Sequence, residues 1–109
     1  MQLPNTIAVR STLDENGVAV AQDSKEAVRI YAKGCALKTG EACSNLGLLY
    51  EDGKGVAVDM KKAAELHGQA CDLEVGGGCS NLATMYRLGQ GVDRDPDQAK
   101  ALNKIFHLI

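Results

Sequence analysis

Four cysteines are the residues of this chain with the clearest potential for chemistry. They form two pairs of identical spacing, Cys35 with Cys43 and Cys71 with Cys79, and a glycine-containing segment separates the members of each pair. A turn in that segment would fold two helices back on each other and bring the paired cysteines opposite one another, as a disulfide requires. Closing so small a loop would stabilise the fold by roughly 2 to 3 kcal/mol in the chain-entropy description. We therefore predict one disulfide within each pair.

Other roles for the cysteines stay open at this point. Four reduced thiols could pack as small apolar side chains. A zinc site is disfavoured because structural zinc pairs usually lie two to four residues apart, whereas seven residues intervene here. A catalytic thiol would need a base, and nothing in the sequence ties His67 or His107 to a cysteine. We expect no metal ion, no cofactor and no catalytic residue. Disulfides would place the protein in the periplasm or outside the cell, and reduced cysteines would place it in the cytoplasm.

The tripeptide Lys38-Thr39-Gly40 also occurs in penicillin-recognising serine enzymes. That chemistry needs a Ser-x-x-Lys nucleophile as well, and none of the serines is followed three residues later by a lysine. We therefore interpret the tripeptide as a helix end, with Gly40 as the stop. His67 is interpreted as a partly buried structural residue on a helix.

An internal repeat of 36 residues organises the chain. Residues 43–71 and 79–107 share eleven identities in 29 positions without a gap. A further step back by 36 residues pairs Asp59 with Asp23 and Gly53 with Gly17. We expect a single repeat domain over 1–109, with a degenerate first repeat over about 5–38 and two further repeats over about 41–74 and 77–109.

Each repeat has the pattern of two helices and a turn, because its apolar residues recur at helical spacing and its breakers recur at fixed offsets. Paired glycines in 53–56 and 89–92 are typical of a helix stop. Asp23, Asp59 and Asp95 stand where an N-cap carboxylate would accept backbone N–H groups. Gly47 is expected on a packed face, where a small residue lets two helices approach closely. The predicted helices lie near 24–37, 41–52, 60–73, 77–88 and 96–107, with a weak one near 6–13.

Charge and hydropathy exclude several classes of function. Twelve basic and fourteen acidic residues give a net charge of −2, spread without a basic run, so we expect no nucleic-acid partner. The longest apolar stretches have four or five residues, far below the roughly 20 that cross a bilayer, so we expect no membrane insertion. The start Met1-Gln-Leu-Pro-Asn lacks the form of a secretory signal. An exported protein would therefore be present here without its signal.

The pattern Leu46-Gly47-x-x-Tyr50-x-x-Gly53-x-Gly55-Val56-x-x-Asp59-x-x-x-Ala63 resembles the SEL-one-like repeat, a relative of the tetratricopeptide repeat, and the resemblance covers about residues 17–107. The added cysteine pair resembles the disulfide-rich branch typified by the Helicobacter cysteine-rich proteins. This resemblance implies an all-α, right-handed α/α solenoid of helix pairs, stapled by disulfides. Ala83 departs from the usual glycine, and His107 stands where the next cysteine would fall, which indicates that the array ends here.

By the same resemblance, the first helices of the pairs should line a concave face that holds another protein or a peptide. We expect a non-enzymatic interaction module, such as an adaptor, an inhibitor or an immunity-type partner. The alternative is a penicillin- or peptidoglycan-binding protein, or a weak β-lactamase-like protein. Exposed apolar residues in 105–109 would add a homodimer contact through the last helix. The residues predicted to contact the partner are Ser44, Leu48, Glu51, Ser80, Thr84 and Arg87.

Overall fold

Five α-helices make up the part of the chain that the structure describes. The structure is a computed structural model that describes the backbone of residues 18–108 and the side chains of residues 23–105. No strand occurs within these residues, so the predicted all-α fold is confirmed. The predicted helix near 6–13 lies outside the described residues. The helices are α1 (Val18–Ala36), α2 (Gly40–Asp52), α3 (Met60–Asp72), α4 (Gly76–Leu88) and α5 (Pro96–Leu108).

The ends of α2 to α5 agree with the prediction to within one residue, but α1 begins at Val18 rather than near residue 24. Asp23, predicted as the N-cap of this helix, lies inside it and is only 4% exposed. The segment from Val18 to Gln22 contains no glycine or proline, so nothing in it stops the helix from starting earlier. The predicted cap at Asp23 is therefore wrong.

The other two predicted caps are confirmed. Asp59 Oδ1 accepts a hydrogen bond of 3.0 Å from the backbone N–H of Lys62 at the start of α3. Asp95 Oδ1 accepts the equivalent bond of 3.1 Å from Gln98 at the start of α5. Each carboxylate thus satisfies a backbone donor that the helix itself leaves unpaired, and together the two caps fix where both helices begin.

The turn between the members of each cysteine pair differs from the prediction. The left-handed residue that ends the helix is not glycine: Lys38 follows α1 with φ 68° and Glu74 follows α3 with φ 66°. The N–H of Thr39 donates to the Gly34 carbonyl at 3.0 Å, and Lys38 donates to the Cys35 carbonyl at 2.9 Å. This is the pattern of a Schellman motif. Gly40 is therefore not the helix stop.

Gly40 is instead the first residue of α2, where it is buried. A Cβ added there would come within 2.5 Å of Val75 Cγ2 and 3.0 Å of Leu73 Cβ. Close packing against the following turn, and not backbone conformation, is the physical reason for glycine at this position.

The paired glycines after α2 and α4 have two separate roles. Gly53 and Gly89 take the left-handed conformation that ends each helix, with φ 68° and 71°. Gly55 and Gly91, also at positive φ, lie against the backbone of the second helix of the preceding repeat. A Cβ on Gly91 would overlap the Met60 carbonyl. The second glycine of each turn is therefore a contact between repeats.

The core runs through three clusters of buried side chains, which half-buried side chains join to one another. The first surrounds the bridge between Cys35 and Cys43, and the second surrounds the bridge between Cys71 and Cys79. The third lies between them around Met85. Tyr50 packs on the first and third clusters, and Leu82 packs on the second and third. Because of these shared residues, one continuous core links the helix pairs.

Candidate functional site

The packing of the helices decides which side of the array is concave. Each helix packs against the next, giving a body of 43 × 25 × 20 Å. In addition, the backbones of α2 and α4 come within 8 Å of each other between Cα atoms, whereas those of α1, α3 and α5 do not approach one another this closely among the described helices. The layer whose helices meet is the inner side of a curved stack, and the layer whose helices spread apart is the outer side. The first helices of the pairs, α2 and α4, therefore line the inner face.

One stripe of exposed side chains runs along α2. Its members recur every three or four residues, so they share one side of the helix, opposite the side that carries the buried Cys43 and Leu46. The equivalent positions on α4 lie 36 residues further along the chain, where Thr84 and Leu88 are exposed, Asn81 is half-buried and Gly77 has no side chain. We call these two stripes the inner face. It consists of Glu41, Asn45, Leu48 and Asp52 on α2, and of Gly77, Asn81, Thr84 and Leu88 on α4.

Of the residues predicted to contact a partner, only some belong to this inner face. Leu48 is 40% exposed on it, and Thr84 is exposed on α4, with its hydroxyl donating to the Ser80 carbonyl at 3.2 Å. Arg87 is exposed beside the α4 stripe and Ser80 is half-buried. Ser44 is only 8% exposed, so the prediction that it points outward is wrong.

Glu51, the remaining predicted residue, turns from the inner face towards α3. Its Oε2 lies 2.6 Å from Nε2 of His67, and the Glu51 side chain keeps 25% of its surface exposed while the His67 side chain has none. A structural, buried role for His67 agrees with the sequence interpretation. The carboxylate as its partner was not predicted, because the two residues lie on different helices and 16 positions apart.

The imidazole of His67 fits only because position 47 is glycine. A Cβ on Gly47 would lie 2.8 Å from Cε1 and 3.1 Å from Nδ1 of the ring. The Nδ1 atom is buried and finds no hydrogen-bond partner among the described residues.

Both predicted disulfides are present, one within each helix hairpin. Cys35 pairs with Cys43 and Cys71 with Cys79, with Cα atoms 4.6 and 4.5 Å apart. All four cysteines lie at 9% exposure or less. The bridges therefore belong to the core, and no free thiol remains among the described residues. This excludes the reduced-thiol, zinc and nucleophile interpretations for these four residues.

Gln69 covers the first bridge. Its side-chain oxygen Oε1 lies 3.2 Å from Cys35 Sγ. A disulfide sulfur carries no hydrogen, so this oxygen contact is not a hydrogen bond, and one forms only when the amide is turned so that its NH₂ faces the sulfur. The position equivalent to Gln69 next to the second bridge is Ile105, which is 43% exposed. The two bridges thus differ in what covers them.

The tripeptide shared with penicillin-recognising enzymes lies in the turn between α1 and α2 and at the start of α2. Lys38 is exposed at the end of α1, and Thr39 and Gly40 begin α2. Ser44, one turn further along α2, is buried. These residues are explained by the turn and by the start of the helix. Separately, none of the described helices is long and apolar enough to cross a membrane.

Comparison with known proteins identifies the repeat. The sequence profile of the Sel1 repeat matches residues 14–38, 40–75 and 77–102. The fold is similar to that of Helicobacter pylori cysteine rich protein B, with a TM-score of 0.76 and 26% sequence identity, over 97% of this chain and 84% of that one.

A second similar structure is a protective antigen of uropathogenic Escherichia coli with an SLR fold. Here the TM-score is 0.78 and the identity 28%, over 94% of this chain. The chain spans only 21% of the length of that antigen. No curated protein matches the chain in sequence. The three matched segments cover most of the chain and coincide with helices stacked as in these two structures, so the chain belongs to the Sel1 repeat family.

Proposed function

We propose that this protein is a non-enzymatic module that holds another protein or a peptide on its inner face, as an adaptor, an inhibitor or an immunity-type partner. The Sel1 repeat fold is consistent with a protein-interaction module. The observation that carries the proposal is the composition of the inner face. Exposed leucines at 48 and 88 alternate with amide and hydroxyl side chains on two neighbouring helices. Apolar contact combined with adaptable hydrogen bonding suits an extended peptide or a partner helix.

The disulfides support a place of action outside the reducing cytoplasm. Buried bridges form and persist in the periplasm or outside the cell. We therefore expect the partner in the cell envelope or outside the cell. A homodimer through α5 is a second, separate contact, to which the half-exposed Ile105 would contribute.

A photo-crosslinking experiment tests the proposed face. A photoreactive phenylalanine analogue replaces Leu48 on the inner face or, as the control, Lys62 on the outer helix α3, which is also exposed. Cell-envelope extract is added with and without an excess of unlabelled protein, which is the wild-type chain without the photoreactive residue. We expect crosslinked products at position 48 that the unlabelled protein suppresses, and none of these products at position 62. Equal crosslinking from both positions, or no saturable product, would contradict the proposal.

A matched pair of variants gives the affinity. Leu48→Asp places a charge in the middle of the inner face, whereas Leu37→Asp makes the same change at a leucine that is 71% exposed in the turn after α1. We expect the first variant to weaken partner binding by about tenfold or more, because burying an unpaired charge is unfavourable, and the second to leave binding unchanged. Size-exclusion chromatography over a range of concentrations tests the dimer independently.

A further inference from the structure

Three positions change together between the second and third repeats. The second repeat has Gly47, Glu51 and His67, and the third has Ala83, Arg87 and Asn103 at the equivalent places. In the third repeat Ala83 is buried and Asn103 is exposed, so the fold does not need an imidazole at this position. Between these two repeats, the glycine that admits the ring and the carboxylate that pairs with it are replaced together with the histidine. These three residues form one arrangement, which we call the His67–Glu51 pair.

The hydrogen bond of the pair fixes the position of the carboxylate. With the hydrogen on Nε2, the ring donates to Glu51 Oε2 at 2.6 Å. His67 holds one carboxylate oxygen in place while a quarter of the Glu51 side chain stays open to solvent.

The surroundings of Glu51 favour a cation beside an apolar group. Leu48 lies three residues earlier on α2, so the two side chains are neighbours on the helix surface. Asp52 and Glu41 belong to the same half of the inner face, and both are exposed. On α4 the position equivalent to Glu51 carries the opposite charge, the exposed Arg87. The face is thus acidic along α2 and basic at one flank of α4.

We propose that Glu51, positioned by His67, binds a lysine or arginine side chain of the protein partner, and that Leu48 contacts an apolar residue next to that cation. The proposal rests on the proposed function and names the chemistry of its partner. A carboxylate fixed in advance binds a basic side chain without losing side-chain freedom on binding, and a charge-assisted hydrogen bond is stronger than a neutral one. Arg87 orients the bound segment of the partner, because it repels the basic end of that segment and attracts an acidic end.

A displayed library of random twelve-residue peptides, panned on the disulfide-bonded protein, tests the inference. We expect the bound peptides to be enriched in lysine or arginine next to a large apolar residue. Their affinity should fall about tenfold or more in Glu51→Gln, the loss expected when one charge-assisted contact is removed. Glu65→Gln makes the same change at an exposed glutamate of the outer helix α3 and should leave affinity unchanged.

The positioning role of His67 has its own test. His67→Phe keeps a planar ring against Gly47 but removes the hydrogen bond to Glu51. We expect weaker binding of the selected basic peptides and unchanged binding of matched peptides in which norleucine replaces the lysine. A purely structural role would weaken both sets equally. Far-UV circular dichroism and thiol alkylation establish that each variant is folded and bridged.

The possible results separate this inference from the proposed function. One possible result is that the selected peptides no longer bind Leu48→Asp, yet contain no basic residue or bind Glu51→Gln as well as the wild type. This result would overturn the inference and leave the proposed function standing. A library without any binder sensitive to Leu48→Asp would count against both. If Glu51→Gln does not fold, the test is made on the wild-type protein, by comparing the lysine peptides with the matched norleucine peptides. Their affinity should be about tenfold lower than that of the lysine peptides, and equal affinity would overturn the inference.

Discussion

Gly34 on α1 and Ala42 on α2 meet beside the first disulfide, and a Cβ added to Gly34 would lie 2.8 Å from the Ala42 Cβ. One repeat later the residue types are exchanged, with Ala70 on α3 facing Gly78 on α4. A Cβ on Gly78 would lie 2.6 Å from the Ala70 Cβ. Each hairpin therefore has room for one methyl group at this contact and not for two.

This exchange predicts a compensating double substitution. Gly34→Ala alone should lower the free energy of unfolding by about 1 to 3 kcal/mol through overpacking. Adding Ala42→Gly should restore most of that loss, because it reproduces the arrangement of the second hairpin. Urea denaturation of the two single variants, the double variant and the wild type measures the coupling. Additive effects of the two changes would show that the residues are not in contact.

The close approach of Gly47 to His67 predicts opposite effects for two glycine-to-alanine changes in helices. Gly47→Ala should destabilise by about 1 to 3 kcal/mol, because its Cβ would press on the imidazole. Gly68→Ala should stabilise by about 0.5 to 1 kcal/mol, because alanine is the better helix former and the nearest atom to its Cβ, Leu82 Cδ2, is 3.7 Å away. Thermal and urea unfolding compare the two. Stabilisation by Gly47→Ala would mean that the ring does not occupy this position.

The glycines of the turn after α4 should differ in their tolerance of alanine. Both have positive φ, 71° at Gly89 and 73° at Gly91, so alanine is strained at either. At Gly89 the nearest atom to an added Cβ is a side-chain carbon of Arg94 at 3.2 Å, and we expect a loss of about 1 to 2 kcal/mol. At Gly91 the Cβ would overlap the backbone of Met60, so the loss should be larger, at about 3 kcal/mol or more. If both variants lose the same free energy of unfolding in denaturant, the strain of alanine at positive φ would explain both losses, without a contribution from the contact with Met60.

The two disulfides predict a definite pattern of alkylation and a measurable loss on removal. The unfolded, unreduced chain should take up no alkylating reagent by intact mass, and the reduced chain should take up four groups. Replacing Cys35 and Cys43 together by alanine should lower stability by about 2 to 3 kcal/mol, because the unfolded chain gains freedom. Alkylation of the unreduced chain at all four cysteines would mean that the bridges do not form.

Features that repeat within the sequence could be predicted, because two copies support each interpretation. The caps at Asp59 and Asp95 and the stops at Gly53 and Gly89 were found in this way. Asp23 was wrongly predicted as an N-cap. The 36-residue spacing that pairs it with Asp59 does not show that α1 extends upstream of Asp23. Gly40 was misassigned for a related reason. A glycine near a turn has two explanations, positive φ and close packing, and only the contacts with Leu73 and Val75 distinguish them.

The candidate site was harder to predict from one sequence. Helical periodicity gave a face containing Leu48, but it could not tell whether Ser44 or Asn45 points outward. That distinction depends on how the neighbouring helices pack on α2, since Ser44 is buried and Glu51 pairs with His67 on α3. The His67–Glu51 pair joins two helices and has no counterpart in the third repeat, so no internal comparison could reveal it.

Each bridge joins cysteines only eight positions apart, one on the second helix of a repeat and the other on the first helix of the next repeat. During oxidation every thiol thus finds its partner in the hairpin that carries it, and a mispaired chain would have to span neighbouring hairpins. The covalent bonds thus fasten each repeat to the next, in addition to shared side chains such as Tyr50 and Leu82. Loss of the whole second repeat would remove one cysteine from each bridge and leave Cys35 and Cys79 to pair with each other.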